Sequence, residues 1–414
     1  MAWIDRYSKN PFIKNVAIMF SGNGLALVIP FLIAPFISRI YTPEDFAGFE
    51  LFVKIATLIG VASALRFELA IILPKKNEEA SALVKLSLRL VLVTTLLTAL
   101  VVIPFRTQIS IILNNADLSY LLWFLPLMVL CLGFYHVFTQ YAIRLKNFKI
   151  LSETKISGAL CNNGSKYLLG LNLPIAASLV WGQIIGLVVP VISFLRDGAI
   201  RAELANIHKS TFSTQNLFRK YRDFPIISAS HAFFDEGQKT VLFFLISAFY
   251  GEIELGLFAY ALRYIRVPLM VFGVSISQVL NEKWARDLNE GIPINGPVLR
   301  TSLFLLLTGI VPFSLLFFFG EDLFSFVFGA DWTRAGRFSE IMAVWLFLNF
   351  IVSPLSFLPV IMKKQTTNFL VAVVGNLLTL SVVGWLAIAG RDFMTVLIAL
   401  VVCNSLHSVF IWFW

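Results

Sequence analysis

The chain has 414 residues, 58% of them hydrophobic and only 14% charged, with a mean hydropathy of +0.82 and a formal net charge of +9. A soluble domain carries about 25% charged residues, so a water-soluble globule is excluded. The positive charge is scattered among short connections with no basic domain to present it, which argues against nucleic acid as a partner. Cys131, Cys161 and Cys403 sit inside apolar runs, with neither metal-ligand spacing nor a disulfide framework.

Apolar runs long enough to cross a bilayer recur along the chain, and in hydrocarbon such runs must be helical to satisfy their backbone groups. About twelve spans are predicted: 14–38, 46–73, 84–104, 119–141, 154–172, 175–195, 224–250, 255–280, 299–320, 338–362, 367–388 and 392–413. Ala2 to Lys14 is polar and basic and leads straight into a run long enough to span, so it reads as a retained signal anchor and not as a removable leader. The first span carries Ser21-Gly22-Asn23-Gly24 followed by Pro30 and Pro35, a composition that permits either bending or close packing. The fifth span is polar on one side, with Asn162, Asn163 and Lys166, and its inclusion rests on the charge pattern of the connections.

Lys and Arg in the connections set the orientation. With the N-terminus inside, one side collects Arg6, Lys9 and Lys14; Lys75, Lys76 and Lys85; Arg144, Lys146, Lys149 and Lys155; the basic residues between 196 and 222; Lys283, Arg286 and Arg300; and Lys363 and Lys364. The other side has Arg39, Arg106, Arg334, Arg337 and Arg391, a balance of roughly 21 against 5. Both termini are therefore expected in the cytoplasm. The longest polar connection, 196–223, divides the chain into six-span halves, 1–195 and 224–414, expected to be related by a parallel pseudo-two-fold. Tyr41, Asp45, Phe46 and Phe49 read Y-x3-D-F-x2-F, and Tyr250, Glu254, Leu255 and Phe258 read Y-x3-E-L-x2-F at an offset of 250 − 41 = 209. Chance similarity in Phe-rich sequence is the competing account of that match. External connections are short, so any function must reside in the helical bundle.

Seven basic residues remain once the connections are assigned: Lys54, Arg66, Arg89, Lys166, Lys239, Arg263 and Arg266. Each costs about 2.5–3.5 kcal/mol at a helix centre on insertion scales. Arg66 and Arg89 lie near span ends and can reach the interface. Lys54, Lys239, Arg263 and Arg266 lie deeper, and Lys54 maps onto Arg263 at the same offset of 209. Glu50 stands four residues from Lys54 and Asp235 four from Lys239, so a paired structural network competes with a cationic cavity lining. The excess of positive charge favours the cavity, which would call for an anionic ligand such as a diphosphate. Asp235, Glu236 and Glu50 are the candidates for ion coupling.

Arg39-Ile40-Tyr41-Thr42-Pro43-Glu44-Asp45-Phe46, the stretch Arg66-Phe67-Glu68-Leu69-Ala70-Ile71-Ile72-Leu73-Pro74, and Val267-Pro268-Leu269 with Ser275-Ile276-Ser277-Gln278-Val279 carry a resemblance. In these motifs, in length and in span number, the chain resembles the Wzx-type O-antigen flippases, in the polysaccharide transporter branch of the multidrug/oligosaccharidyl-lipid/polysaccharide exporter superfamily. The resemblance implies an all-α, two-bundle transporter in a bacterial inner membrane. Such a protein passes undecaprenyl-diphosphate-linked oligosaccharide to the periplasmic leaflet by alternating access through a positively lined cavity. It implies a role in polysaccharide and lipopolysaccharide biosynthesis, contact with membrane lipids, and a polysaccharide polymerase and chain-length proteins as partners. Lys54, Lys166, Lys239, Arg263 and Arg266 match the cavity lining in kind, and Arg66 and Glu68 match the motif itself, as a gate or a structural ion pair. No bond is made or broken in such a step, so no enzyme activity, cofactor or metal is expected. The rivals are a MATE-like exporter, whose cavity for organic cations should be acidic, and a membrane glycan polymerase, which needs a sizeable periplasmic loop.

Overall fold

The computed structural model describes residues 11–206, 212–290, 293–355, 358–362 and 364–413, without the side chains of 11–21, 23, 203–206, 267–283, 285, 289, 360 and 365. Arg6, Lys9, Lys14, Lys209, Lys283 and Lys363, and the side chains of the Val267–Val279 motif, lie outside the described residues. Among the described residues eleven long helices carry the fold: α1 Pro11–Ile37, α2 Pro43–Ala62, α3 Asn77–Ile112, α4 Leu125–Arg144, α5 Phe148–Asn172, α6 Ala176–Arg196, α7 Ala229–Asn289, α8 Asn295–Phe328, α9 Thr333–Val352, α10 Gln365–Ile388 and α11 Phe393–Phe413. α7 is broken at Gly251, whose φ of 83° and ψ of −175° only glycine adopts without strain. Among the described residues the break in α7 gives twelve long helical segments, and α8 is kinked as well, at Phe319, where φ is −131° and ψ 21°. The described residues contain no strand, and the protein is an all-α, multi-pass membrane protein.

Eight helices among the described residues are long and apolar enough to cross a membrane. α2 and α5 fall outside that set because of their polar groups: Asp45, Glu50 and Lys54 on α2, and Lys155, Asn162, Asn163 and Lys166 on α5. Candidate charge is not confined to these two: Lys239, Arg263 and Arg266 lie on α7, within a stretch, Phe224–Arg266, that is long and apolar enough to span.

Local signals explain the boundaries. Thr42 caps α2 in a reciprocal box with Asp45, and Pro43 supplies a preset φ in the first turn. The second predicted span ran to residue 73, but the helix stops at Ala62. Leu65 and Arg66 then adopt left-handed φ of 50° and 62°, and a single turn follows at Phe67–Ala70. Arg144, at the end of α4, stabilises this non-helical stretch. It donates to the carbonyls of Ile71 (3.2 Å), Ile72 (3.4 Å) and Pro74 (2.7 Å) and to Asn77 Oδ1 (3.0 Å). Pro30 and Pro35 are accommodated within α1, and Gly22 packs so closely on Ser152 that an added Cβ would overlap it.

The structure divides into two compact units, Met1–Phe244 and Leu245–Trp414. The division therefore carries residues 224–244 with the first unit, beyond the connection at 196–223 that the sequence offers as the divide. In unit 1, α5 lies along α6 and against α1, and α3 and α4 pack together; in unit 2, α8 lies along α9, with α9 on α11. The repeated Y-x3-[DE] motif plays a similar part in each unit. Tyr41 donates to the Lys166 carbonyl (2.7 Å), and Tyr250 donates to the Arg391 carbonyl (3.0 Å). Each tyrosine ties the end of its unit's opening helix to a backbone group on or just beyond the fifth helical segment of the same half.

Candidate functional site

Within unit 1 the candidate charges gather on α2, α5 and the first part of α7. Lys166 is 4% exposed. Its ammonium donates to Gln183 Oε1 on α6 (3.1 Å) and stands 4.4 Å from the centroid of the Phe49 ring on α2. Gln183 also accepts from Asn162 (2.9 Å), so the polar side of α5 is met by one acceptor on α6. Two glycines make room for this. A Cβ at Gly182 would overlap the Lys166 stem, and one at Gly186 would lie 2.5 Å from Asn162 Cβ. A glycine pair at i and i+4 is the small-residue spacing that lets membrane helices approach closely. Lys166 is therefore built into the α2–α5–α6 packing.

Lys54 is half-buried on α2, with its ammonium 4.6 Å from the Phe243 ring centroid on α7. One turn on, Leu58 faces Gly237 of the same helix. The α7 residues beside this contact form a local ion cluster: Lys239 pairs with Asp235 at 2.8 Å and with Glu236 at 3.3 Å. Two carboxylates share one ammonium, so the cluster is net negative. Glu50 is buried on α2, at 5% exposure. Arg66 and Glu68 form an ion pair at 3.5 Å, as the motif suggested, with Glu68 only 4% exposed. Glu68 Oε2 and Arg66 Nε have no hydrogen-bond partner among the described residues, and Arg66 lies within electrostatic range of His136.

Unit 2 contributes Arg263, half-buried, and Arg266, exposed with its guanidinium 5.5 Å from the Trp345 ring centroid. Arg89 is exposed, but it lies more than three turns into α3, which starts at Asn77, ahead of the predicted span. Glu50 and Lys54 thus stand on α2, Lys166 meets α2 at Phe49, and Lys239 is set with Asp235 and Glu236, two of the three acidic candidates. Three of the candidate cations, Lys166, Lys54 and Arg266, face rings whose part beside a charge the sequence did not indicate: Phe49, Phe243 and Trp345. Cation–π pairing offsets part of the cost of holding such charge away from water. Sequence reasoning also missed Gln183 and Gly182, although the Gly182-x3-Gly186 spacing beside Gln183 was a visible signal. No group of three potential metal ligands occurs among the described residues.

The helical architecture is shared with solved membrane transporters. The inward-closed lipid II flippase MurJ superposes with a TM-score of 0.76 at 15% identity, over 96% of this chain and 87% of that one. An inward-facing multidrug-resistance transporter of the MATE family gives 0.71 at 13%, over 94% and 96%. A MOP-superfamily transporter from Pyrococcus furiosus, described as having a binding pocket of reverse polarity, gives 0.59 at 11%, over 97% and 94%. At such identities the likeness is one of fold. The sequence profile of the polysaccharide biosynthesis protein family matches residues 36–337, and the chain belongs to that family. No curated protein sequence matches it.

Proposed function

We propose that this protein is a flippase that moves a polyprenyl-diphosphate-linked oligosaccharide, an O-antigen or similar repeat unit, from the cytoplasmic to the periplasmic leaflet of a bacterial inner membrane. The observation that carries the reading is membership of a polysaccharide biosynthesis family by a chain with eight helices, among the described residues, long and apolar enough to cross a membrane. A saccharide on a diphosphate is too polar to cross hydrocarbon unaided, and a protein of this kind must shelter it. The fold it shares with MurJ, named as a lipid II flippase, supports the same reading. The diphosphate would be met by Lys54, Lys239, Arg263 and Arg266, while Lys166 holds the α2–α5–α6 wall. Arg66 and Glu68 serve as a gate or a fixed ion pair in the turn after α2. Alternating access would move six-span bodies, 1–195 and 224–414, with no bond made or broken. Asp235, Glu236 or Glu50 would couple the step to protons or sodium, and a polymerase and chain-length proteins would receive the product.

The test is a flipping assay in proteoliposomes with a defined lipid-linked glycan. Lys54→Gln, Arg263→Gln and Arg266→Gln, alone and with Lys239→Gln, should each slow transport at unchanged protein level. Full transport by the quadruple variant would overturn the diphosphate role. Insensitivity of wild-type transport to both proton and sodium gradients would remove the coupling role. One observation favours a second reading, a MATE-like exporter: the Asp235–Glu236–Lys239 cluster is net negative and could meet an organic cation. Uptake of a fluorescent organic cation by the same vesicles, with no glycan movement, would select it.

A further inference from the structure

In the connection between the sixth and seventh spans, the described residues on either side of 207–211 are largely helical, and the two ends are held differently. It contains the helices Gly198–Asn206 and Thr214–Lys220. At its start, Asn147 donates to Asp197 Oδ2 (3.0 Å), and Asp197 Oδ1 accepts from the Ala199 and Ile200 amides (both 3.1 Å). At its end, Leu217 and Tyr221, 3% and 8% exposed, enter the same apolar cluster as Phe67, Leu83 and Phe194 of unit 1. The Phe218 ring meets that of Phe67 edge-on, with centroids 4.8 Å apart.

Beside this apolar contact lies a charged one. Glu79, in the first turn of α3 and 7% exposed, is ion-paired to Lys220 and accepts from the Tyr221 hydroxyl (3.0 Å). The carboxylate is thus held by both neighbours on the docked segment, and removing them would leave it buried without compensation. Immediately afterwards the support thins: the Phe224 ring, 6.3 Å from that of Tyr221, is the last to pack against this cluster before α7. Phe224–Ser228 forms a π turn with Pro225 at its second position and no buried residue; Ile226 and Ile227 are 64% and 63% exposed. A π turn is strained relative to an α turn, and proline withholds a donor, so this is the weakest backbone between the docked helix and α7.

We propose that residues 214–221 are a clasp kept closed on unit 1 by Glu79, and that the π turn at 224–228 is the hinge about which α7 moves in the protein's working cycle. Motion concentrates where few contacts resist it, and a fixed point beside a weak turn confines the bend to that turn. The inference needs only that the protein change shape, whatever its cargo.

Pulsed electron–electron resonance on the full-length protein in lipid nanodiscs tests it. With the native cysteines replaced by alanine, spin labels at Lys149→Cys and Arg219→Cys report the clasp, and labels at Arg219→Cys and Val241→Cys report the hinge. The clasp pair should give one narrow distance and the hinge pair a broader or divided distribution. The reverse pattern, or equal widths, would overturn the proposal. Glu79→Gln keeps the side-chain shape and should lengthen and broaden the clasp distance, and the exchange Glu79→Lys with Lys220→Glu should restore it. An unchanged distance in Glu79→Gln would show that Glu79 does not hold the clasp. These readouts need no substrate, so they stand or fall apart from the flippase reading. In the flipping assay, Glu79→Cys joined to Lys220→Cys by a short thiol cross-linker should keep most of its activity. Near-total loss would mean that the clasp opens in the cycle, which sinks the fixed-point role.

Discussion

Lys239 on α7 and Lys166 on α5 carry the same formal charge, and their surroundings give them different work. Lys239 is exposed and bound to two carboxylates, whereas Lys166 is buried against an amide oxygen and a ring. Glu79 is a third case, at an end of unit 1 outside the predicted spans. Burial pushes its carboxyl up, but the bonds from Lys220 and Tyr221 outweigh that, and its pKa lies below the usual carboxylate value. Lys220 is moved the other way, upward, chiefly by its bond to Glu79. A lowered carboxylate contributes stability above its unfolded pKa, about 4.3, and loses it as pH falls through the folded value. A raised lysine contributes below about 10.4 and loses it as pH rises through its own folded value. The clasp distance should therefore stay constant from about pH 5 to 10 and lengthen only below about pH 4. The nearby charge of Lys76 further favours the ionised carboxylate. Glu79→Gln should abolish the acid transition, and an unaltered pH profile in that variant would refute the assignment.

At the level of elements, the packing of α5 on α6 depends on absence of side chains as much as on their presence. Gly182 leaves the space that the Lys166 stem fills, and Gly186 does the same for Asn162. Gly182→Val should cost about 1–3 kcal/mol by overpacking and lower the thermal midpoint. Lys166→Ala should recover part of the loss, because the two groups compete for one space. Additive effects in thermal unfolding would mean that the lysine does not occupy it. Arg144 is the comparable residue for the turn after α2. Replacing it by alanine leaves the carbonyls of Ile71, Ile72 and Pro74 without their common donor, at about 1–3 kcal/mol if water does not replace it. Hydrogen exchange confined to residues 66–80 would report that loss. In the sequence Arg144 counted only as one more positive charge in a connection; its second task depends on the left-handed turn at Leu65 and Arg66, which no propensity rule foresees.

For the whole molecule, charge in the connections is the quantity that orients the chain in the bilayer. Lys149, with a side chain 80% exposed, belongs to the side richer in cations, and Arg334, 61% exposed, to the other. A membrane-impermeant thiol reagent applied outside intact cells should label Arg334→Cys and spare Lys149→Cys. The opposite labelling would invert the proposed topology and, with it, the direction of transport. The motif likeness between halves has a structural counterpart in the two tyrosine anchors, Tyr41 on the Lys166 carbonyl and Tyr250 on the Arg391 carbonyl. This makes chance resemblance of the motifs a poorer account than duplication.

Hydropathy and breakers along the chain were enough for the helical class, for the places of the helical segments apart from the early end of the second at Ala62, and for the identity of the costly charges, because the energy of placing side chains in hydrocarbon is local to each segment. The ion pair of Arg66 with Glu68 was also legible, being a contact two residues apart. What surrounds each charge was decided by tertiary structure alone. Phe49 beside Lys166, Phe243 beside Lys54 and Glu79 beside Lys220 are separated by 117, 189 and 141 residues in the chain. A charge in low dielectric is governed by its neighbours within a few ångströms, and only the folded chain brings such distant neighbours together.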